Sequence, residues 1–185
     1  MLRTDLSPRD LVRPARKGEV GRIGTLVAAA LQEFREVIPP AIFLAYVEES
    51  ADIVARWDEA EVLVAEIEGE VAGTVSFYAD ASQEGLGFPS GWAGFRTLAV
   101  DPAMRGRGIG KVLLQACLDK ARTQGAQTLA IHTSQVMRAA CRLYEQSGFR
   151  RAPEHDFSGA AALGLGEEAG HIAIIAYRLD FAAAS

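Results

Sequence analysis

The sequence predicts one layered α/β domain. Helical and strand periodicities alternate along the chain, no repeat or linker interrupts them, and 185 residues suffice for a single core. Hydrophobic residues make up 49% and charged residues 23%, which excludes wholesale disorder. The 19 Lys and Arg against 24 Asp and Glu give a formal net charge of −5. That argues against a nucleic-acid partner, which would call for a basic footprint. The two cysteines, Cys117 and Cys141, have no partner at ligand spacing, so neither a disulfide scaffold nor a metal centre is expected. Met1–Asp10 lacks an apolar signal core, and no uncharged apolar run reaches the ~18 residues of a membrane helix. No membrane partner and a cytoplasmic location are expected.

Residues 1–8 read as a flexible polar tail and 9–181 as the domain. Asp10–Pro14 is a brief strand stopped by proline. From Glu19 to Glu36, Val20, Ile23, Leu26, Val27, Ala30, Leu31 and Phe34 recur at helical spacing. Pro39-Pro40 breaks this helix, and Ile42–Trp57 forms a second. Its inner side carries Phe43, Val47, Ile53, Val54 and Trp57, and its outer side Glu48, Glu49 and Asp52. Glu61–Ile67 and Val71–Tyr78, joined at Gly69, read as a hairpin. Asp80–Gly91 is a glycine-punctuated loop, and Phe95–Val100 a central strand. Then follow helix Ile109–Thr123, strand Thr128–Thr133 and helix Val136–Ser147, closed by Gly148 at the C′ position. Phe149 starts another extended run. Ser158–Gly170 is read as a mobile Gly/Ala-rich loop, Ile172–Leu179 as the last strand and Phe181–Ser185 as a tail.

The chemistry concentrates in FRTLAVDPAMRGRGIGKVLLQACLDKA, Phe95–Ala121. A strand ends at Val100, Asp101-Pro102 turns the chain, and Arg105-Gly106-Arg107-Gly108-Ile109-Gly110 opens a helix. The first N–H groups of a helix lack internal partners and carry partial positive charge, so a glycine-rich turn there can cradle phosphate. A dinucleotide fingerprint fails because Lys111 stands where its third glycine belongs. A P-loop fails because Arg105 replaces its first glycine and Val112 its hydroxyl.

What fits is R-x-x-G-x-G at Arg105, Gly108 and Gly110, after L-x-V-x-P at Leu98, Val100 and Pro102. Downstream, Ala140-Cys141-Arg142-Leu143-Tyr144-Glu145-Gln146-Ser147-Gly148-Phe149 follows A-x-x-L-Y-E-x-x-G-F. This ordered pair, spanning about Phe95–Arg150, resembles the GNAT (Gcn5-related N-acetyltransferase) superfamily. The resemblance implies a single GNAT-like α+β domain, with a mixed, mostly antiparallel sheet of six or seven strands flanked by about four helices. It implies acetyl-CoA as cosubstrate without a metal, and acetyl transfer to an amine by direct attack in a ternary complex. The acceptor is a small-molecule amine or a peptide or protein amine, and a homodimer is left open. A noncatalytic acyl-CoA-binding sensor is the alternative.

By the same resemblance, main chain at Leu98, Ala99 and Val100 pairs with the pantetheine arm and acetyl carbonyl. Main-chain N–H groups from Arg105, Gly106, Arg107, Gly108, Ile109, Gly110 and Lys111 hold the pyrophosphate. The Leu98 amide serves the developing oxyanion, and Tyr144 serves the leaving thiolate as acid or hydrogen-bond donor. Met137 stands where many members carry an Asn that helps hold the CoA arm. His132 and Glu84 are candidates for the base, each also readable as an ordinary strand or loop residue. Glu33, Glu36, Glu48, Glu49 and Asp52 would favour a cationic amine if they flank the acceptor cleft. Cys117 reads as a buried hydrophobe, and Cys141 as a thiol near the cofactor sulfur with no activating partner in view.

Overall fold

The computed structural model describes residues 11–181; the expected tail 1–8 and residues 182–185 lie outside the described residues. In β2 (Glu61–Ile67) and β3 (Glu70–Tyr78) successive side chains take opposite faces. Val62 and Val64 enter one core, Leu63 and Ala65 the other. Both faces are covered, hence the nearly continuous apolar runs. The two-residue connection, Glu68-Gly69, has positive φ at both positions (54° and 80°), which suits the twist of a tight hairpin. β1 (Val12–Pro14) pairs antiparallel with β2 at the sheet edge, where a proline is tolerated.

β4 (Ala93–Val100) lies antiparallel to β3, and β5 (Thr128–Ser134) parallel to β4. β6 (Arg150–Arg151), β7 (Phe157–Ser158) and β5 all pair antiparallel with β8 (Ala173–Asp180). Among the described residues the sheet thus has eight strands rather than six or seven. The additional pieces are two residues long, too short to show alternation in sequence.

α1 (Val20–Leu31) buries Ile23, Leu26, Val27 and Ala30 against Val62, Val64, Val71 and Ala99. α3 (Ile109–Thr123) buries Leu113, Leu114, Cys117, Leu118 and Ala121 in the core of the opposite face. Each fully buried leucine there is worth roughly 1.5–3 kcal/mol. α4 (Arg138–Gln146) adds Tyr144 to that core.

α2 (Pro40–Ala51) is shorter than expected. The Arg56 guanidinium donates to the Ser50 and Glu49 carbonyls at 2.9 and 2.6 Å, satisfying acceptors that a continuing helix would have used. Asp52 then leaves helical geometry (ψ 81°), and the phase of the apolar pattern is lost. Val54, expected inside, is 68% exposed, and Glu49, expected outside, turns in to pair with Arg96. Ser158–Gly170, expected as a mobile loop, holds a short packed element, α5 (Gly159–Ala162). Its Ala160 is buried with Ile172 against Ile42 and Phe43 of α2. The small residues serve close approach here: a Cβ on Gly159 would stand 2.6 Å from Ile172 Cγ2.

One irregularity positions the site. β4 and β5 pair only at Ala93–Leu129 and Gly94–Ala130 and then part, leaving a wedge toward the C-terminal ends of both strands.

Candidate functional site

Along the wedge runs a groove of about 640 Å³. Leu98, Ala99 and Val100 form its β4 wall, and Arg105, Gly106, Gly108, Ile109, Gly110 and Lys111 its end. A bulge prepares the β4 wall: Thr74 pairs with Ala99 and Ser76 with Arg96, so Thr97 and Leu98 together oppose Val75. Thr97 sits at φ 55°, a left-handed conformation costly for a β-branched residue. Such bulges re-aim the backbone beside functional sites.

Gly106 and Gly108 have φ of 77° and 80°, and Gly108 is the N-cap of α3. A Cβ at either would meet no protein atom within 4 Å, so the turn's backbone conformation, not crowding by the protein, calls for glycine. The first helical bond runs from Val112 N–H to the Gly108 carbonyl at 3.1 Å. The N–H groups of Ile109, Gly110 and Lys111 therefore have no partner within the helix. The Arg105 side chain turns away to Glu33 (2.9 Å) and the Ala30 carbonyl (3.0 Å), while Arg107 is exposed and does not line the groove. Lys111, Arg138 and Arg142 do line it. The two α4 arginines went unnoticed in the sequence, although their i, i+4 spacing on one helix was a legible signal.

Tyr144 faces the groove from α4 and is 4% exposed. The helix ends in a Schellman motif. Gly148 (φ 90°) donates to the Glu145 carbonyl at 3.1 Å and Phe149 to the Tyr144 carbonyl at 3.0 Å. The Phe149 ring packs 5.9 Å from that of Tyr144 and 6.1 Å from that of Phe95, fixing the tyrosine against β4. Burial pushes its phenol well above the ordinary range, so the hydroxyl stays protonated. Met137 is the N-cap of α4 and lines the groove with no amide to offer. Cys117 is buried in the core with its thiol pushed up by burial. Cys141 does not line the groove; its Sγ points to the Ser134 carbonyl, 3.6 Å away.

A second cavity, of about 330 Å³, opens on the other side of the wedge. Tyr46, Thr97, His132, Thr133 and Met137 line both spaces, so groove and cavity meet at the parted strands. The cavity is mostly apolar, with Tyr46, Glu49, Glu84, Arg96 and His132 as its ionisable groups. Glu84 ends a short 3-10 turn (Ala81–Glu84) begun by Asp80, whose Oδ1 accepts from the Ser82 N–H at 3.0 Å. Both Glu84 carboxylate oxygens are shut off from solvent and lack a hydrogen-bond partner. Burial raises this carboxyl to about 8, against the pull of Arg96 and Arg56.

His132 is stacked on Phe88 with ring centroids 3.9 Å apart. One ring nitrogen, Nε2, lies 3.0 Å from the His155 carbonyl oxygen. A carbonyl only accepts, so Nε2 carries the proton and Nδ1 keeps its lone pair. Nδ1 is buried without a partner, and burial lowers the ring's pKa to about 4. Of the two base candidates, Glu84 is therefore the better matched to neutral pH and His132 the weaker proton acceptor. Of the five acidic residues, Glu49 lines the cavity and Glu33 the groove, and both are paired with arginines. Glu49 is bound to Arg96 at 2.8 Å, and Glu33 belongs to the groove's Arg105.

Residues 26–149 match the model of the acetyltransferase (GNAT) family. The chain is 35% identical over 91 residues to the probable N-acetyltransferase camello of Xenopus tropicalis, which covers 48% of this chain. The chain spans only 38% of that relative's length. Among solved structures, the PaiA N-acetyltransferase of Thermoplasma acidophilum in complex with coenzyme A superposes with a TM-score of 0.68 at 11% identity, covering 92% of this chain and 98% of that one. YncA, a putative acetyltransferase of Salmonella typhimurium with acetyl-CoA, gives 0.62 at 20% identity over 94% and 95%. At such identities the likeness is one of fold.

Proposed function

The chain belongs to the acetyltransferase (GNAT) family, and we propose that it moves an acetyl group from acetyl-CoA to a primary amine by direct attack with both substrates bound. The observation that carries this is the meeting of groove and cavity at the parted ends of β4 and β5. A diphosphate suits the turn, where two left-handed glycines precede three N–H groups without helical partners. Bound there, acetyl-CoA supplies an acetyl group activated as a thioester.

Main-chain N–H groups from Arg105 to Lys111 grip the diphosphate, and Lys111, Arg138 and Arg142 balance its charge. Main chain at Leu98, Ala99 and Val100 aligns the pantetheine arm along the unpaired side of β4. The Leu98 N–H donates to the carbonyl oxygen as negative charge builds on it. Glu84 takes the proton that the amine nitrogen must lose, and a base near 8 is well matched to neutral or mildly alkaline operation. The His132 Nδ1 lone pair accepts one amine N–H and orients the nitrogen. The Tyr144 hydroxyl donates to the sulfur as it leaves. The structural neighbours that hold coenzyme A or acetyl-CoA lend support at the level of fold.

The test is release of free thiol from acetyl-CoA across a panel of diverse amines. Amine-dependent release supports transfer. Binding of acetyl-CoA with no release for any amine would favour the noncatalytic acyl-CoA-binding reading.

A further inference from the structure

Beside the acceptor cavity two guanidinium groups pair with a single carboxylate. Arg56 and Arg96 share that of Glu49, at 3.7 and 2.8 Å respectively. The other carboxyl there, Glu84, makes no hydrogen bond to either guanidinium. A half-buried guanidinium with donors to spare favours a further anion, which it can bind in bidentate fashion.

The two arginines differ in how far they are spent. Arg56 donates to the Ser50 and Glu49 carbonyls and to the Thr97 hydroxyl (3.4 Å), so it is committed to capping α2 and bracing the bulge. Arg96 makes one hydrogen bond, from Nη2 to Glu49, while its side chain lines the cavity. A guanidinium carries five N–H donors, and the remaining donors of Arg96 have no protein partner among the described residues. The rest of the wall is mostly apolar, with Ile42, Leu86, Phe157 and Leu163 among its members. The volume of about 330 Å³ lies at the small end of ligand sites.

We propose that the acceptor is a small amino acid with an apolar side chain, its carboxylate seated on Arg96 and its amino group turned toward Glu84 and His132. The proposal rests on the acetyl-transfer reading above and adds the substrate class. A polycation meets Arg96 where it would need an anion. A protein lysine brings no carboxylate to the guanidinium.

The experiment compares apolar L-amino acids (leucine, methionine, phenylalanine) with their amides, their decarboxylated amines, spermidine and an alanine-terminated peptide, reading thiol release from acetyl-CoA. The expected result is a kcat/KM for the free acid about 10- to 100-fold above that of its amide, the range for a hydrogen bond to a charged group. In Arg96→Lys that ratio narrows, and in Arg96→Met it collapses, chiefly through KM for the acid. The acid-to-amide ratio of the unaltered protein needs no variant to fold. Amides or amines matching the acids, or preference for spermidine or the peptide, overturns the proposal. If no amine releases thiol, acetyl transfer itself fails, and calorimetry with the CoA-loaded protein decides the substrate class. Binding of leucine in preference to leucinamide upholds an amino-carboxylate site, and equal or absent binding overturns it.

Discussion

The Glu84 carboxylate lies against Gly94: a β-carbon at position 94 would overlap Glu84 Oε1 and stand 2.8 Å from Ala81 Cβ. Gly94 is also the last residue of β4 to pair with β5. The glycine that closes the parallel pairing therefore makes room for the proposed base beside the wedge. Gly94→Ala should displace Glu84 and lower kcat toward the level of a variant lacking the base, with acetyl-CoA affinity kept. Steady-state kinetics with calorimetry checks this. Unchanged kcat would show that the position of Glu84 does not matter.

Glu84→Gln should lower kcat by about 10²- to 10⁴-fold, the usual worth of a general base, and remove an alkaline rise in rate centred near pH 8. The same group ties stability to pH. Burial is the main cause of its shift; Glu49 adds to it, and Arg96 and Arg56 oppose it. Between pH 4.5 and about 8 the folded chain holds a proton that the unfolded chain has released. Its contribution to stability is thus full below 4.5 and is lost as pH rises through about 8. Glu84→Gln should flatten that decline in denaturant titrations across the window; an unaltered slope would place the charge elsewhere.

Tyr144→Phe should reduce kcat while leaving both acetyl-CoA affinity and thermal stability nearly unchanged. The hydroxyl has no protein hydrogen-bond partner among the described residues, so its removal strands no buried group. The ring contacts with Phe95, Phe149 and Tyr177 persist in phenylalanine. Normal turnover from pH 6 to about 10, the ordinary phenol pKa, would remove Tyr144 from the chemistry.

Gly108→Glu should abolish measurable acetyl-CoA binding in calorimetry. It puts a carboxylate at the N-cap where a diphosphate is to sit, and forces a side chain into φ 80° at about 1–2 kcal/mol. Wild-type affinity would refute the cradle.

The groove was legible in the sequence because its contacts are local. A strand, a glycine turn and a helix start follow each other within Phe95–Lys111, and the φ values of Gly106 and Gly108 match what glycine there implies. Gly148 closed α4 as expected for the same reason. The cavity was less legible because long-range contacts build it. Glu84 is one loop glutamate in sequence; only burial beside Gly94, Arg96 and Arg56 gives it a shifted pKa. Val54 read as core-facing because helix periodicity was carried past Ala51, where Arg56 ends the helix. Ser158–Gly170 read as mobile because glycine and alanine serve close packing and flexible loops alike.

The most direct test of the account is an amide NMR titration of the protein with coenzyme A. The N–H resonances of Gly106, Gly108, Ile109, Gly110 and Lys111 should move together with those of Leu98–Val100, saturating at one stoichiometric equivalent. Saturable binding that leaves these amides still, and shifts others instead, would contradict it.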